Sequence, residues 1–368
     1  MRSGIIFKYI LTELIVPFFL GLSVFVFILI MSQVLRLNEL IIVHGVGVWQ
    51  VIKLVFYLLT SFLAMSIPIA LLFSVLSLFG RLSADSEIIA LRASGFSIVQ
   101  LAAPVIVFSA VVSFFCLFLT IHLEAWGARS YRELVWNIGK NKATIGIKAG
   151  LFNDDFFGLV LYTDKINAKE KTLENVFIYD ERDNASPVSV IAKQGALISS
   201  EDFPAVLLVL KNGDIHSSSS NYESLQKIHF DTYTINLSID EIFKVDTKEK
   251  PGRLAFSLLK EKMKEAKDTG NIRKYRLYHT EYHRKFAIAF ASFIFAILGV
   301  ALGIKPTRSV KSGSFIYTLL FVGIYWFFFM FGNSLSMKGS LPSGLAMWLP
   351  NIIFLLFSGF LMYKTNRQ

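Results

Sequence analysis

Apolar residues gather along the chain into six long runs, separated by short polar gaps and by one long mixed insertion. The runs cover residues 14–34, 51–79, 98–121, 286–304, 315–335 and 345–363. A hydrocarbon core about 30 Å thick is crossed by roughly 20 helical residues, so each run predicts a membrane-spanning helix. Pro17, Pro68, Pro104 and Pro350 fall inside or at the ends of four of them. In a bundle, neighbouring helices re-satisfy the backbone groups that proline frees, so these positions do not argue against spanning. The first run is too long for a signal-peptide core and no small-residue cleavage site follows it, so it is expected to be retained as a helix.

The insertion, residues 125–275, has a different period. From Lys142 onward the stretches KATIGIK, FGLVLYTDKI, ENVFIYD, PVSVIAKQGALIS, PAVLLVLKNGDIHS and KIHFDTYTINLSI are rich in β-formers, and several alternate apolar with polar residues. That alternation predicts strands, and Asn212-Gly213 reads as a tight turn between two of them. The spacing suggests an antiparallel sandwich or jelly roll, whose open edges suit strand addition by another protein. After Pro251 the period becomes helical. A break at Gly270-Asn271 predicts two amphipathic helices leading back to the fourth run, with Arg284 and Lys285 as polar heads at the interface.

Composition agrees with the pattern: 54% of the 368 residues are hydrophobic, 35 are Phe, and the mean hydropathy is +0.55. Such a chain is too apolar for a soluble fold. With a cytoplasmic N-terminus, the inner short segments carry nine basic residues (Arg2, Lys8, Arg81, Arg92, Lys305, Arg308, Lys311, Lys364 and Arg367) against three outside (Arg36, Lys53 and Lys338). The bias predicts cytoplasmic termini and an extracytoplasmic insertion. It also accounts for part of the net charge of +10, so no nucleic-acid partner is expected. The one cysteine, Cys116, lies in the third run and reads as a small packing residue.

Between the second and third runs lies SADSEIIALRASGFS, residues 83–97. Asp85 is expected to cap a helix start, Glu87 to occupy its first turn and Gly95 to stop it, giving about nine helical residues and some 13 Å. Ile88, Leu91 and Gly95 share a face, with Glu87 and Arg92 displaced from it. Such a segment lies at the membrane surface, either merely joining two spans or presenting charges to a partner.

Catalytic signatures are missing from the sequence. It has no G-x-x-x-x-G-K-[ST] and no G-x-S-x-G. His279, Glu281 and His283 do not form H-E-x-x-H, and they read as an interfacial polar face rather than a metal site. His122 and Glu124 read as the polar exit of the third span. Neither cofactor nor metal is expected. Ser292, Ala296, Gly299 and Gly303 make a small-residue stripe in the fourth span, suited equally to packing within the chain and to a subunit contact. Arg36, at the end of the first span, has the chemistry to grip a phosphate in a bidentate manner, or to serve as an interfacial anchor.

Three stretches, SIPIALLFSVLSLFGRLSADSEIIALRASGFS, GIKAGLFNDDFFGLVLYTDKI and EYHRKFAIAFASFIFAILGVALGIKP, together with three spans on either side of one insertion, resemble the LptF/LptG lipopolysaccharide export permeases, LptF more than LptG. The resemblance runs over essentially the whole chain. It implies a polytopic α-helical membrane protein with six transmembrane helices and an inserted periplasmic β-jelly-roll domain. The implied divisions are 1–124 (spans one to three, with a coupling helix at 85–95), 125–275 (the jelly roll and flanking helices) and 276–368 (spans four to six).

The same resemblance implies a non-catalytic subunit of a bacterial inner-membrane ABC transporter. Its implied partners are an LptB-like ATPase dimer, a second LptF/LptG-type permease, an LptC-like single-span protein and lipopolysaccharide. Asp85, Glu87, Ile88, Leu91, Arg92 and Gly95 would couple to the ATPase, with Glu87 pairing a basic residue there. Arg36, and more weakly Lys53 and Lys338, would meet the lipid head group. Spans one and five would line the lipid cavity. A receptor or scaffold with a ligand-binding periplasmic β-domain is the rival reading of the same architecture.

Overall fold

The computed structural model describes residues 2–42, 46–145, 149–156, 159–167, 172–181, 187–199, 205–218, 225–238, 250–304 and 310–367. Six of its helices are long and apolar enough to cross a membrane: Gly4–Gln33, Val48–Ala84, Ile98–Ile138, Ile272–Gly303, Gly313–Lys338 and Ser343–Thr365. All six predicted spans therefore form. The chain divides into two compact units. One comprises Met1–Ser32, Phe56–Arg129 and Glu249–Gln368, and the other Gln33–Val55 and Ser130–Lys248.

The helical unit draws on α1 (Arg2–Ile42), α2 (Val48–Ala84), α3 (Glu87–Ala93), α4 (Ile98–Phe118), a π-helical turn (Leu119–Leu123), the start of α5 (Glu124–Ile145), a 3-10 turn (Pro251–Arg253), α6 (Phe256–Asp268), α7 (Ile272–Gly303), α8 (Val310–Lys338) and α9 (Ser343–Arg367). Pro17, Pro68, Pro104 and Pro350 all lie inside helices that continue past them. The core is built around α2 and α7, where Leu71, Leu72, Val75, Phe79, Ile294, Phe295, Ala296 and Leu298 are all but fully buried. The small-residue stripe serves packing within the chain. A Cβ on Gly299 would stand 2.8 Å from the Val75 side chain, and one on Gly303 2.5 Å from Phe79 Cβ. Glycine at both places lets α2 approach the α7 backbone.

The predicted break after Pro251 is present. Gly270 adopts φ +70°, a region glycine enters without the Cβ penalty, and Asn271 Oδ1 then accepts the Lys274 amide at 3.1 Å to cap the next helix. The second amphipathic stretch is not a separate helix. It is continuous with the fourth span as α7, because nothing after Asn271 interrupts the hydrogen-bond ladder.

In the other unit, β1 (Asn153–Phe156), β2 (Leu159–Asn167), β3 (Thr172–Asp180), β4 (Val188–Ser199), β5 (Ala205–Ser218) and β6 (Leu225–Ser238) pair in chain order as one antiparallel sheet. Leu161, Leu173, Val176, Ile178, Val190, Leu208 and Leu210 bury one face, together with Leu54, Val135 and Ile138 of the helices in this unit. Among the described residues the wiring is an up-and-down meander, without the crossovers of a jelly roll.

Two local expectations are corrected. KATIGIK begins as helix, not strand, because α5 runs to Ile145; residues 146–148 lie outside the described set. Asn212-Gly213 is not a turn. β5 passes through it in unbroken register, with Lys211 opposite Thr232 and Gly213 opposite Phe230, and with Gln194 and Ala192 on the other side. Asn212 takes φ +53°, which asparagine tolerates. A Cβ on Gly213 would collide with the Ile191 carbonyl, so two strand partners override the local turn preference.

Candidate functional site

Two clusters of charged side chains stand out in the helical unit. The first surrounds α3. Asp85 does not cap that helix. Its amide bonds the Arg81 carbonyl at 2.9 Å and the Ser86 amide bonds the Ser83 carbonyl at 3.1 Å, so both close the end of α2. Ser86, at φ +60°, then turns the chain directly into a seven-residue helix without a side-chain cap. At the other end Gly95, φ +90°, donates to the Arg92 carbonyl, and the Phe96 amide reaches back to the Leu91 carbonyl. This is a Schellman closure, as Gly95 predicted. Ser97 and Gln100 then form a reciprocal capping box that opens α4.

Of the three residues expected to share a face of α3, Ile88 and Leu91 turn to the core and Gly95 does not. Ile88 is 3% exposed within the core, and Leu91 packs against the same core. Asp85, Arg92 and Gly95 are exposed. Glu87 is held from two sides. Tyr9 of α1 donates its hydroxyl to Glu87 Oε2 at 2.9 Å, and Arg81 of α2 stands 4.0 Å from Oε1 while donating to Glu13 Oε2 at 2.9 Å. The Arg81, Glu87 and Glu13 side chains remain 37%, 36% and 43% exposed. Exposed pairs of this kind contribute up to about 1 kcal/mol and exchange readily for other partners. Ser83 Oγ donates to the Ile304 carbonyl at 3.2 Å, tying the approach to α3 to the C-terminal end of α7.

The second cluster is buried, and the sequence reading took its members for interfacial polar groups. Lys285 has a fully buried side chain. Its Nζ donates to the Thr120 carbonyl at 2.8 Å and the Gly252 carbonyl at 3.2 Å, and pairs with Glu124 Oε2 at 3.4 Å. Arg284 reaches Glu124 Oε1 at 3.3 Å, the Gly252 carbonyl at 3.1 Å and, through Nε, Glu281 Oε2. Two cations thus face two carboxylates.

The π-helical turn places the acceptors. Within it the Glu124 amide donates to the Leu119 carbonyl, five residues back, instead of to Thr120. The Thr120 carbonyl loses its usual helical donor and receives the Lys285 ammonium. Such turns are enriched at functional sites. No simple sequence pattern announces one, although acidic Glu124 ending one apolar run and Arg284-Lys285 opening another were a usable hint.

Of the head-group candidates, Lys53 is exposed on α2, its Nζ 5.9 Å over the Trp49 ring. Lys338 is exposed in the last turn of α8, and its carbonyl accepts from Arg276 at 3.5 Å. Arg36 sits on α1, but its side chain lies outside the described residues. Among the described residues no three metal-binding side chains gather.

Residues 8–364 match the family model described as lipopolysaccharide export system permease LptF/LptG. Curated relatives include lipopolysaccharide export system permease protein LptF of Escherichia coli K12, of Escherichia coli O157:H7 and of Shigella flexneri. Each is 24% identical over 305 residues, covering 78% of this chain and 75% of the relative.

Proposed function

Because the chain belongs to the LptF/LptG family of lipopolysaccharide export permeases, we propose that it is the LptF-like, non-catalytic subunit of an ABC transporter, converting ATP hydrolysis on a separate ATPase dimer into extraction of lipopolysaccharide from the inner membrane. A second LptF/LptG-type permease completes the membrane part. An LptC-like single-span protein and the β unit carry the lipid onward. The termini and α3 face the cytoplasm, and the β unit faces the periplasm.

The observation that supports this reading best is the construction of α3. A seven-residue helix is anchored by Ile88 in the core of the helical unit and strapped to α1 and α2 through Glu87. A push on its exposed face would be delivered to three spans. Asp85, Glu87 and Arg92 form the docking rim, Ile88 and Leu91 the anchor, and Gly95 the stop. On docking, a basic residue of the ATPase takes over part of the Glu87 carboxylate, setting register more than affinity. Arg36, Lys53 and Lys338 attract the phosphorylated head group, Arg36 most strongly through its planar fork.

The test is purification in mild detergent followed by mass spectrometry of co-purifying proteins. A P-loop ATPase and a second six-span permease are expected. Recovery of the chain alone under gentle crosslinking would favour the receptor or scaffold reading. In the assembled complex, Glu87→Arg is expected to abolish transport-coupled ATPase activity, and unchanged coupling removes Glu87 from the docking role. Arg36→Ala is expected to weaken crosslinking to phosphorylated lipid while assembly persists.

A further inference from the structure

We infer that His279 and His283 form a two-nitrogen site for a borderline divalent transition ion, Cu2+ or Zn2+, on the polar N-terminal half of α7. The residues are one helical turn apart, and their Nε2 atoms face each other at 3.3 Å with the ring planes at 89°. Zinc–imidazole bonds are about 2.0–2.1 Å long. Two such bonds place their nitrogens about 3.4 Å apart at a tetrahedral angle and about 2.9 Å apart at a right angle. The observed separation falls inside that window, so an ion bridges the two nitrogens after ring rotation alone, without movement of the helix.

The ring positions are supported from outside the pair. Tyr275 stacks on His279 with centroids 5.3 Å apart, and Tyr282 sets its ring edge to face against His283 at 5.4 Å. Holding ligand rings in orientation before the metal arrives is what outer-shell groups do in metal sites. With the two Nε2 atoms 3.3 Å apart, only one hydrogen fits between them. A metal ion there satisfies both lone pairs at once.

The chemistry of the neighbourhood selects the ion. Imidazole nitrogens favour copper, nickel and zinc over magnesium and calcium. Glu281, which a hard cation would need, is already engaged by Arg284, and Arg276 donates to the Lys338 carbonyl. These arginines add positive charge nearby, which sets the expected dissociation constant in the micromolar range rather than lower. No third His, Cys, Asp or Glu joins the pair among the described residues, and both rings are half-buried. The aquo ion exchanges two waters for two nitrogens and keeps the rest, giving an open site. From the sequence an interfacial polar face was preferred to a metal here, because His279, Glu281 and His283 do not form H-E-x-x-H, whereas a bidentate pair is defined by rotamers.

The experiment uses the tag-free full-length chain in detergent, stripped with chelator and titrated near neutral pH with Cu2+, followed by calorimetry and electron paramagnetic resonance. One equivalent with two-nitrogen hyperfine structure is expected. His279→Ala or His283→Ala should weaken binding roughly a hundredfold, since the second donor then no longer acts intramolecularly. The same stoichiometry and affinity in the double variant would assign the copper to the other four histidines and overturn the site. So would a wild-type chain that binds no copper at micromolar concentration, leaving the pair a hydrogen bond only. Should the alanine variants fail to fold, His283→Cys keeps two donors, and Co2+ should produce a thiolate charge-transfer band. Its absence in the folded variant also overturns the proposal.

Discussion

The charge clusters at Glu87 and at Lys285 use the same chemistry in opposite solvents. Around Glu87, the carboxylate, guanidinium and phenol are each open to water, and one ion pair is stretched to 4.0 Å. Around Lys285, the ammonium is fully buried and two carbonyls complete its shell. Water makes the first cluster inexpensive to rearrange, as a docking surface needs. Burial makes the second costly to break, because a charge left without its partner cannot be hydrated in place.

Removing the ammonium tests that difference most severely. Lys285→Met should destabilise the chain in micelles by about 3–5 kcal/mol, because Glu124 is left buried against fewer cations. Thermal unfolding with Glu124→Leu added should restore most of the loss. If the double variant is no better than the single, the pair is not the source of the effect. Gly252→Ala comes next. A Cβ there would stand 2.7 Å from both Arg284 Nη2 and Glu281 Oε2, and overpacking of this kind costs roughly 1–3 kcal/mol, measurable in the same melt.

Glu87→Gln should change stability by no more than about 1 kcal/mol, since its partners are exposed and screened. A loss as large as that of Lys285→Met would erase the contrast between the clusters. The smallest effect belongs to the sheet, where Asp214 accepts from His229 Nδ1 at 3.0 Å and pairs with Lys227 at 3.2 Å. The His229 hydrogen bond, then Lys227, holds the Asp214 carboxyl below its usual range. Its stabilisation is therefore complete above the unfolded value of about 3.9 and is lost as pH falls through the lower folded value. Protection of the β5 and β6 amides, corrected for the intrinsic exchange rate at each pH, should fall on that descent, and Asp214→Asn should flatten the change.

The legibility of the sequence differs between the two units for a related reason. Six spans could be read because most residues facing lipid or core must be apolar, leaving runs with few interruptions. In the other unit the strands were visible by alternation, but the Asn212-Gly213 dipeptide misled, because sheet pairing on both flanks outweighs a two-residue preference. Helix α5 escaped notice altogether. Its buried positions Ala125, Ala128, Val135 and Ile138 follow helical spacing, yet they are small or sparse beside the membrane runs.

By itself the sequence determined the number of spans, the place of the β insertion, the short charged segment between spans two and three, and the resemblance to the export permeases. Each depends on local composition or on residues close together in the chain. Tertiary structure alone decided that Glu87 leans on Tyr9 and Arg81, that Gly299 and Gly303 face α2, that Lys285 is buried against a π-turn, and that two histidine Nε2 atoms stand 3.3 Å apart. Those facts depend on backbone approach, helix phase and rotamer. Residues 165 positions apart carry no local pattern that would reveal their meeting.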